Sequence, residues 1–326
     1  MAFRLHLVPA HTTFDFFKHQ YLTFGASVVA VILSIILPIV MGLNFGIDFR
    51  GGTTIRTEST QAVDIAAYRK AIAPLDLGDV AITEVFDPNF REDQHVAMIR
   101  IQAQSGAEAI TPETIDKVQA ALQTVDPAVK FISTESVGPK VSGELIWTAI
   151  WSVLAATAAI VVYVWVRFEW QYSIGALAAL VHDVVLTVGL FALFQIKFDL
   201  TIIAALLTIL GYSINDTVVV FDRLRENLIK YKTMPLKDVM NLSVNETLSR
   251  TVMTSGTTLI ALLSLVILGG DVIRGFTMAM TWGVITGTYS SVFVAKNIVL
   301  FIGLDRNKKK QDPAEMIFGE KAGDAE

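Results

Sequence analysis

Residues 22–42 read LTFGASVVAVILSIILPIVMG, a run of 21 residues without one ionisable side chain. At 1.5 Å per residue such a helix covers roughly 30 Å, the thickness of a bilayer's hydrocarbon core. Windows of this kind recur near Leu145 to Val166, Tyr172 to Phe194, Leu200 to Phe221, Val252 to Leu268 and Phe276 to Ile302, the last long enough to tilt. The charged residues crowd instead into 44–140, 222–250 and 303–326. Of 326 residues, 53% are hydrophobic and 17% charged, with a mean hydropathy of +0.54. Average soluble domains carry roughly 25% charged residues, so a soluble fold does not fit. The expected fold is an all-α membrane bundle of six transmembrane helices.

The basic residues orient it. Arg4, Lys18, Arg167, Arg223, Arg225, Lys230, Lys232, Lys237, Arg306 and Lys308 to Lys310 all fall on one side of the spans, which the positive-inside rule makes cytoplasmic. The expected organisation is a cytoplasmic segment 1–21, a first span 22–42, an outside domain 43–143, five spans within 144–302 interrupted by a cytoplasmic loop 222–250, and a cytoplasmic tail 303–326. The first run has the length of a span and no small-residue cleavage site before the domain, so no cleavable signal is expected. A net charge of -5 and the confinement of Lys and Arg to membrane boundaries give no nucleic-acid footprint. Without cysteine there are no disulfides and no thiolate chemistry.

Within the outside domain the apolar period switches between two and 3.6 residues. Thr53 to Ser59 reads as a strand, Gln61 to Ala73 as a helix, Val80 to Phe86 and His95 to Gln102 as strands, Pro112 to Leu122 as a helix and Val129 to Ser136 as a strand. The order βαββαβ is that of an α+β ferredoxin-like domain. Asp87-Pro88-Asn89 supplies the turn between the middle strands, and Thr111-Pro112-Glu113 a helix start.

Ionisable groups inside a membrane are costly, so each is a functional candidate, with internal hydrogen bonding as the plain alternative. Asp216, beside Asn215 in the fourth span, ranks first. Thr208, Tyr212, Asn215, Asp216 and Asp222 recur at helical spacings, and Arg250, Thr254 and Thr258 form a second stripe on the antiparallel fifth span. Asp216 should lie roughly 9 Å inside the membrane, within reach of a snorkelling Arg250. A carboxylate beside a movable guanidinium changes proton affinity as the two separate; the same pair could be a fixed contact that orients two helices. Asp183 with His182 in the third span is a secondary intramembrane polar pair, functional or structural. Lys296 reads as a snorkelling side chain. Ala279, Gly283, Gly287, Ser291 and Ala295 put a small residue at every fourth position of the sixth span, a close-packing face toward the bundle or another subunit.

Catalytic motifs are missing: there is no G-x-x-x-x-G-K-[ST], H-E-x-x-H or G-x-S-x-G. An aspartyl protease built from Asp183 and Asp216 is disfavoured because their depths should differ by roughly 7 to 8 Å. No enzyme activity, catalytic residue, cofactor or metal is expected.

Four segments carry a resemblance. Gly46-Ile47-Asp48-Phe49-Arg50-Gly51-Gly52-Thr53, His182-Asp183, the run Gly211 to Asn227 (GYSINDTVVVFDRLREN), and Leu248 to Thr251 with Thr254 to Thr258 together resemble the SecD/SecF family of protein translocase subunits, across nearly the whole chain. The single outside domain of about a hundred residues is similar to the SecF branch rather than the larger SecD. The resemblance implies half of a resistance-nodulation-division transporter, paired with SecD into twelve spans beside the SecYEG channel, with YajC as an optional companion. It implies use of the proton motive force to draw unfolded preproteins across a bacterial inner membrane into the periplasm, with Asp216 and Arg250 as the functional pair. The first of these segments also reads as a stiff junction in which Gly51 and Gly52 permit a tight bend, with Asp48 and Arg50 on one side of an extended run. It either transmits motion or merely positions the first strand. Two rival readings are an independent exporter of drugs or lipids and a passive scaffold of the translocon.

Overall fold

The computed structural model describes residues 12–103 and 110–304. Arg4, Arg306, Lys308 to Lys310 and most of the expected N-terminal segment and tail lie outside them. The elements are α1 (Gln20–Met41), α2 (Ile47–Arg50), β1 (Gly52–Ser59), α3 (Ile65–Ile72), β2 (Val80–Val85), β3 (His95–Gln102), α4 (Pro112–Gln123), β4 (Lys130–Val137), α5 (Pro139–Arg167), α6 (Trp170–Leu193), α7 (Leu200–Lys230), α8 (Leu236–Leu268), α9 (Asp271–Ser290), a π-helical turn (Ser291–Ala295) and α10 (Lys296–Ile302). Six helices, counting α9 through α10 as one, are long and apolar enough to cross a membrane.

The four strands make one antiparallel sheet in the order β2-β3-β1-β4. Alternation gives it one apolar face: Ile55, Ile99 and Ile101 are buried against Tyr68 and Ile72 of α3 and Val118 and Leu122 of α4. Each such side chain removed from water contributes about 1.5–3 kcal/mol. Helix α3 is shorter than expected because Asp64 caps it, accepting a hydrogen bond from the Ala67 N–H, and leaves residues 61–63 outside. The domain begins and ends side by side, since Gly52 of β1 pairs with Val137 of β4.

Two expectations need correction. Residues 222–250 are not mainly a loop: α7 continues to Lys230 and α8 starts at Leu236, so only residues 231–235 connect them. Polar helical extensions beyond a membrane carry no apolar run by which to find them. The junction is not an extended run either. Ile47–Arg50 is a single helical turn, with the Gly51 N–H bonded to the Ile47 carbonyl. The sharp bend follows it. Gly52 has φ +134°, and a Cβ there would lie 2.3 Å from the Ile101 carbonyl oxygen, so only glycine fits.

That junction is sewn to the connection between α6 and α7. The Gly46 N–H donates to the Phe198 carbonyl at 2.8 Å and the Phe198 N–H to the Asn44 carbonyl at 2.8 Å. The Leu200 N–H donates to Asp48 Oδ2 at 3.0 Å. Phe49 is buried beside Phe198, while Arg50 is exposed. At the far end of β2, the Phe86 N–H donates to Asp271 Oδ2 at 2.7 Å and the Asp271 N–H returns a bond to the Phe86 carbonyl at 2.9 Å. The sheet domain therefore meets the bundle both at its root and at the start of α9.

Candidate functional site: two carboxylates inside the bundle

Helices α6, α7 and α9 meet closely because α9 presents small residues to α7. A Cβ on Gly283 would come within 2.3 Å of Ile209, and one on Gly287 within 3.1 Å of Ser213. Ser291 and Ala295 continue this face and are buried. The stripe lies inside the bundle.

Asp183 sits where those three helices meet and is 0% exposed. Ser213 of α7 donates to its Oδ2 at 2.6 Å, Ser290 of α9 donates to the same oxygen at 2.8 Å, and His182 Nδ1 lies 2.9 Å from Oδ1. A carboxyl group taken out of water loses its hydration, and this site replaces it with three directed hydrogen bonds. The His182 ring stacks on Tyr289 at 6.0 Å, and the Tyr289 hydroxyl reaches α1, donating to the Thr23 carbonyl at 2.9 Å and accepting from Ser27 at 3.0 Å.

Asp216 lies three residues after Ser213 on α7 and is 3% exposed. Its surroundings are looser: Ser255 of α8 donates to Oδ2 at 3.5 Å, the Thr254 hydroxyl of the same helix is a second group acting on the carboxyl, and the Ser255 hydroxyl is also 2.7 Å from Thr288 of α9. Thr288, Tyr289 and Ser290 thus point, roughly 100° apart around one helix, to α8, α1 and α6.

Arg250 stands near enough for its charge to act on Asp216 without closing an ion pair on it. Among the described residues no ion pair within 4.0 Å joins them, and Arg250 is exposed, lining a cavity of about 430 Å³ with Asp222, Arg223 and Glu246. In that cavity Arg223 bonds Glu246 at 2.7 Å and Arg167 bonds Asp222 at 3.2 Å. Asn215, about 100° around α7 from Asp216, is exposed, as is Thr208. The sequence stripe is thus divided: Asp216 points into the bundle, while Thr208, Asn215 and Arg250 point out of it. Among the described residues the two carboxylates share no hydrogen-bond partner, although α7 serves both, meeting Asp183 through Ser213 and carrying Asp216 itself.

Sequence reasoning named Thr254 but missed the other hydroxyls that meet the carboxylates, Ser213, Ser255 and Ser290, and Thr288, which bonds Ser255. Serine and threonine are ordinary in spans, and which of them faces a carboxylate depends on how the helices pack. It also misplaced Lys296, which does not snorkel. It is 1% exposed, with Nζ 3.9 Å from the centre of the Phe17 ring. Among the described residues no group of three or more His, Asp or Glu is arranged to hold a metal.

Two family models match the chain: "SecD/SecF GG Motif" over residues 36–63 and "Protein export membrane protein SecD/SecF, C-terminal" over residues 117–305. The protein translocase subunit SecF of Rhodobacter capsulatus is 71% identical, covering 99% of both chains. That of Cereibacter sphaeroides is 68% identical over 96% of both, and that of Rickettsia felis 39% identical over 94% of this chain and 97% of the relative. Among solved structures, SecDF of Thermus thermophilus, described as a translocon-associated membrane protein, superimposes with a TM-score of 0.79 at 31% identity and covers 91% of this chain. A SecDF structure in a super-membrane-facing form gives a TM-score of 0.67 at 32% identity and covers 92%. This chain spans 39% and 40% of those longer chains. From the junction glycines to the last span, the chain belongs to the SecD/SecF family of protein export membrane proteins, on its SecF side.

Proposed function

We propose that this chain is the SecF-type half of an ion-driven protein translocase, in which protons pass by way of Asp216 and the sheet domain moves in response to help draw an unfolded preprotein across a bacterial inner membrane. The observation that carries the proposal is the divided stripe on α7. Asp216 is buried against hydroxyls of α8, while Thr208 and Asn215 of α7 and Arg250 of α8 are exposed on a membrane bundle. Outward polar groups at membrane depth call for protein or water beside them rather than lipid. A SecD subunit is the partner that fits, since the SecDF relatives carry in one chain both a region like this one and a larger remainder. In the complex, Arg250 would move toward Asp216 as the halves rearrange, and the carboxyl would take up and release its proton.

The sheet domain is proposed as a ferredoxin-like periplasmic domain, supported by its βαββαβ order and strand order. Both chain ends are then cytoplasmic. The fixed junction Asn44–Gly52 and the Phe86–Asp271 contact are the routes by which bundle movement reaches it. SecYEG, and YajC where present, would stand beside the assembled pair.

The test is Asp216→Asn, which keeps shape and removes titration. In vesicles holding this chain with SecD and the channel, gradient-dependent completion of translocation is expected to fall at least about tenfold, the scale of a lost proton carrier rather than a lost weak contact. Unchanged completion would sink the proposal.

A further inference from the structure

Residues 12–18 lie across the end of the bundle remote from the sheet domain. Two asparagines of α8, one turn apart, hold their backbone. Asn245 Oδ1 accepts from the Phe14 N–H at 2.9 Å and from the Thr12 hydroxyl at 2.8 Å, while its Nδ2 donates to the Phe14 carbonyl at 2.8 Å. Asn241 Oδ1 accepts from the Phe16 N–H at 2.9 Å, and its Nδ2 donates to the Phe14 carbonyl at 3.0 Å. An amide side chain that both donates to and accepts from a passing backbone imitates a strand partner, so this segment is docked in one register.

The other side of the segment is held by Lys296, the first residue of α10. Its Nζ lies 3.9 Å from the centre of the Phe17 ring, 5.1 Å from that of Phe16 and 5.4 Å from that of Phe293, and donates to the Phe16 carbonyl at 3.3 Å. Ring faces and a carbonyl are surroundings that suit an ammonium inside a bundle, and the Asp15 carboxylate of the same segment is near enough for its charge to favour it, against that of Lys237. Phe17 is 2% exposed and belongs to one apolar cluster with Val239 and Met240 of α8 and Ala295 and Val299 of the last span. Among the described residues no side-chain hydrogen bond joins α8 directly to α10. The segment supplies that connection.

We propose that residues 12–18 are a clasp that ties α8 to α10, closed by Lys296 on the rings of Phe16 and Phe17. Asn245 stands little more than one helical turn before Arg250, so the clasp fixes the end of the helix from which that arginine projects. Lys296 comes directly after the π-helical turn Ser291–Ala295, a wide turn of the kind found at functional positions in helices. The clasp thus bridges the two elements that must shift if α8 moves against the last span.

Amide hydrogen exchange on the full chain in lipid nanodiscs tests this without reference to ion coupling. In the native chain the Phe14 and Phe16 amides should exchange at least about tenfold more slowly than those of an unstructured peptide of the same sequence. Lys296→Met, which keeps bulk and removes the charge, should raise exchange across residues 12–18 and 236–246 by about tenfold and leave α6 unchanged. Phe17→Leu should do the same, and the two together should add less than about twofold to either alone, because they remove one interaction. The Asn241→Ala, Asn245→Ala pair opens the segment while Lys296 stays native, which covers the case in which the Lys296 variant does not fold. Fast exchange of residues 12–18 in the native chain, an equal rise throughout the bundle, or full protection in Lys296→Met would each overturn the clasp.

Discussion

Asp183 and Asp216 are close in sequence terms, both carboxylates on neighbouring helices of a membrane bundle, yet the helices treat them in opposite ways. Three donors from two helices and its own neighbour converge on Asp183, which has no exposed surface. Asp216 has a long bond from Ser255, with the Thr254 hydroxyl and the Arg250 charge also acting on it, and lies on the flank where α7 and α8 turn polar groups outward. A group satisfied from every side is expensive to disturb and suited to holding helices together. A group held more loosely is easier to move or repartner. On the proposed function, the difference would separate an architectural carboxylate from a working one.

The largest expected effect falls on the sealed group. Asp183→Ala strands the Ser213 and Ser290 hydroxyls and the His182 ring nitrogen without their acceptor, at about 1–3 kcal/mol each, so unfolding of the detergent-solubilised chain should show a loss of at least ~3 kcal/mol. Asp216→Ala should cost less than ~1.5 kcal/mol in the same assay. Equal losses would erase the contrast. Gly283→Leu drives a side chain into Ile209, one turn from Ser213, and should cost about 1–3 kcal/mol as α9 is pushed from α7; hydrogen exchange in α6 around Asp183 should rise with it, whereas an unchanged α6 would mean the seal does not depend on the glycine contact.

The sheet domain offers a sealed carboxylate of its own. Asp126 accepts from Ser59 and, at 3.3 Å, from Tyr68, and burial followed by the Asp126 charge pushes the Tyr68 phenol up from 10.0 to about 12. The folded domain holds this proton where the unfolded chain has lost it. Its contribution is therefore full below pH 10 and is lost as pH rises toward 12. Alkaline unfolding of the domain, followed by tyrosinate absorbance and circular dichroism, should steepen in that window, and Tyr68→Phe should flatten it. The smallest effect is expected for Asn215→Leu: stability of the isolated chain within ~0.5 kcal/mol, but recovery of SecD in gentle co-purification reduced severalfold. Undiminished recovery would mean that this face does not meet a partner.

The sequence made the spans legible because a bilayer imposes a length and a composition on any helix that crosses it. It made the strands legible because one face of the sheet is apolar and period two follows. Residues 236–250 hid their helix, since outside the membrane α8 needs no apolar run. The turn Ile47–Arg50 hid because four residues are too few to show a period. Asp216 and Asp183 were visible as anomalies of type, whereas their partners were not: Ser213 and Thr208 look alike on paper, and only the placement of α6 and α9 makes one a ligand of a carboxylate and the other an outward group. Lys296 was misread for a related reason, because two of the three rings that enclose it, Phe16 and Phe17, come from a segment distant in the chain, Phe16 being 280 residues away.

The pairing of Gly52 with Val137 has a consequence for how such a chain can be built and rebuilt. Everything between those two residues leaves and returns at neighbouring strands, about 5 Å apart. The insertion is a cassette: excising it would leave two backbone ends close enough for a short turn to join, and a larger or smaller module with paired terminal strands could be seated on the same two glycines and the same start of α5. Extramembranous domains of quite different size can thus be exchanged on one membrane chassis without resetting any span.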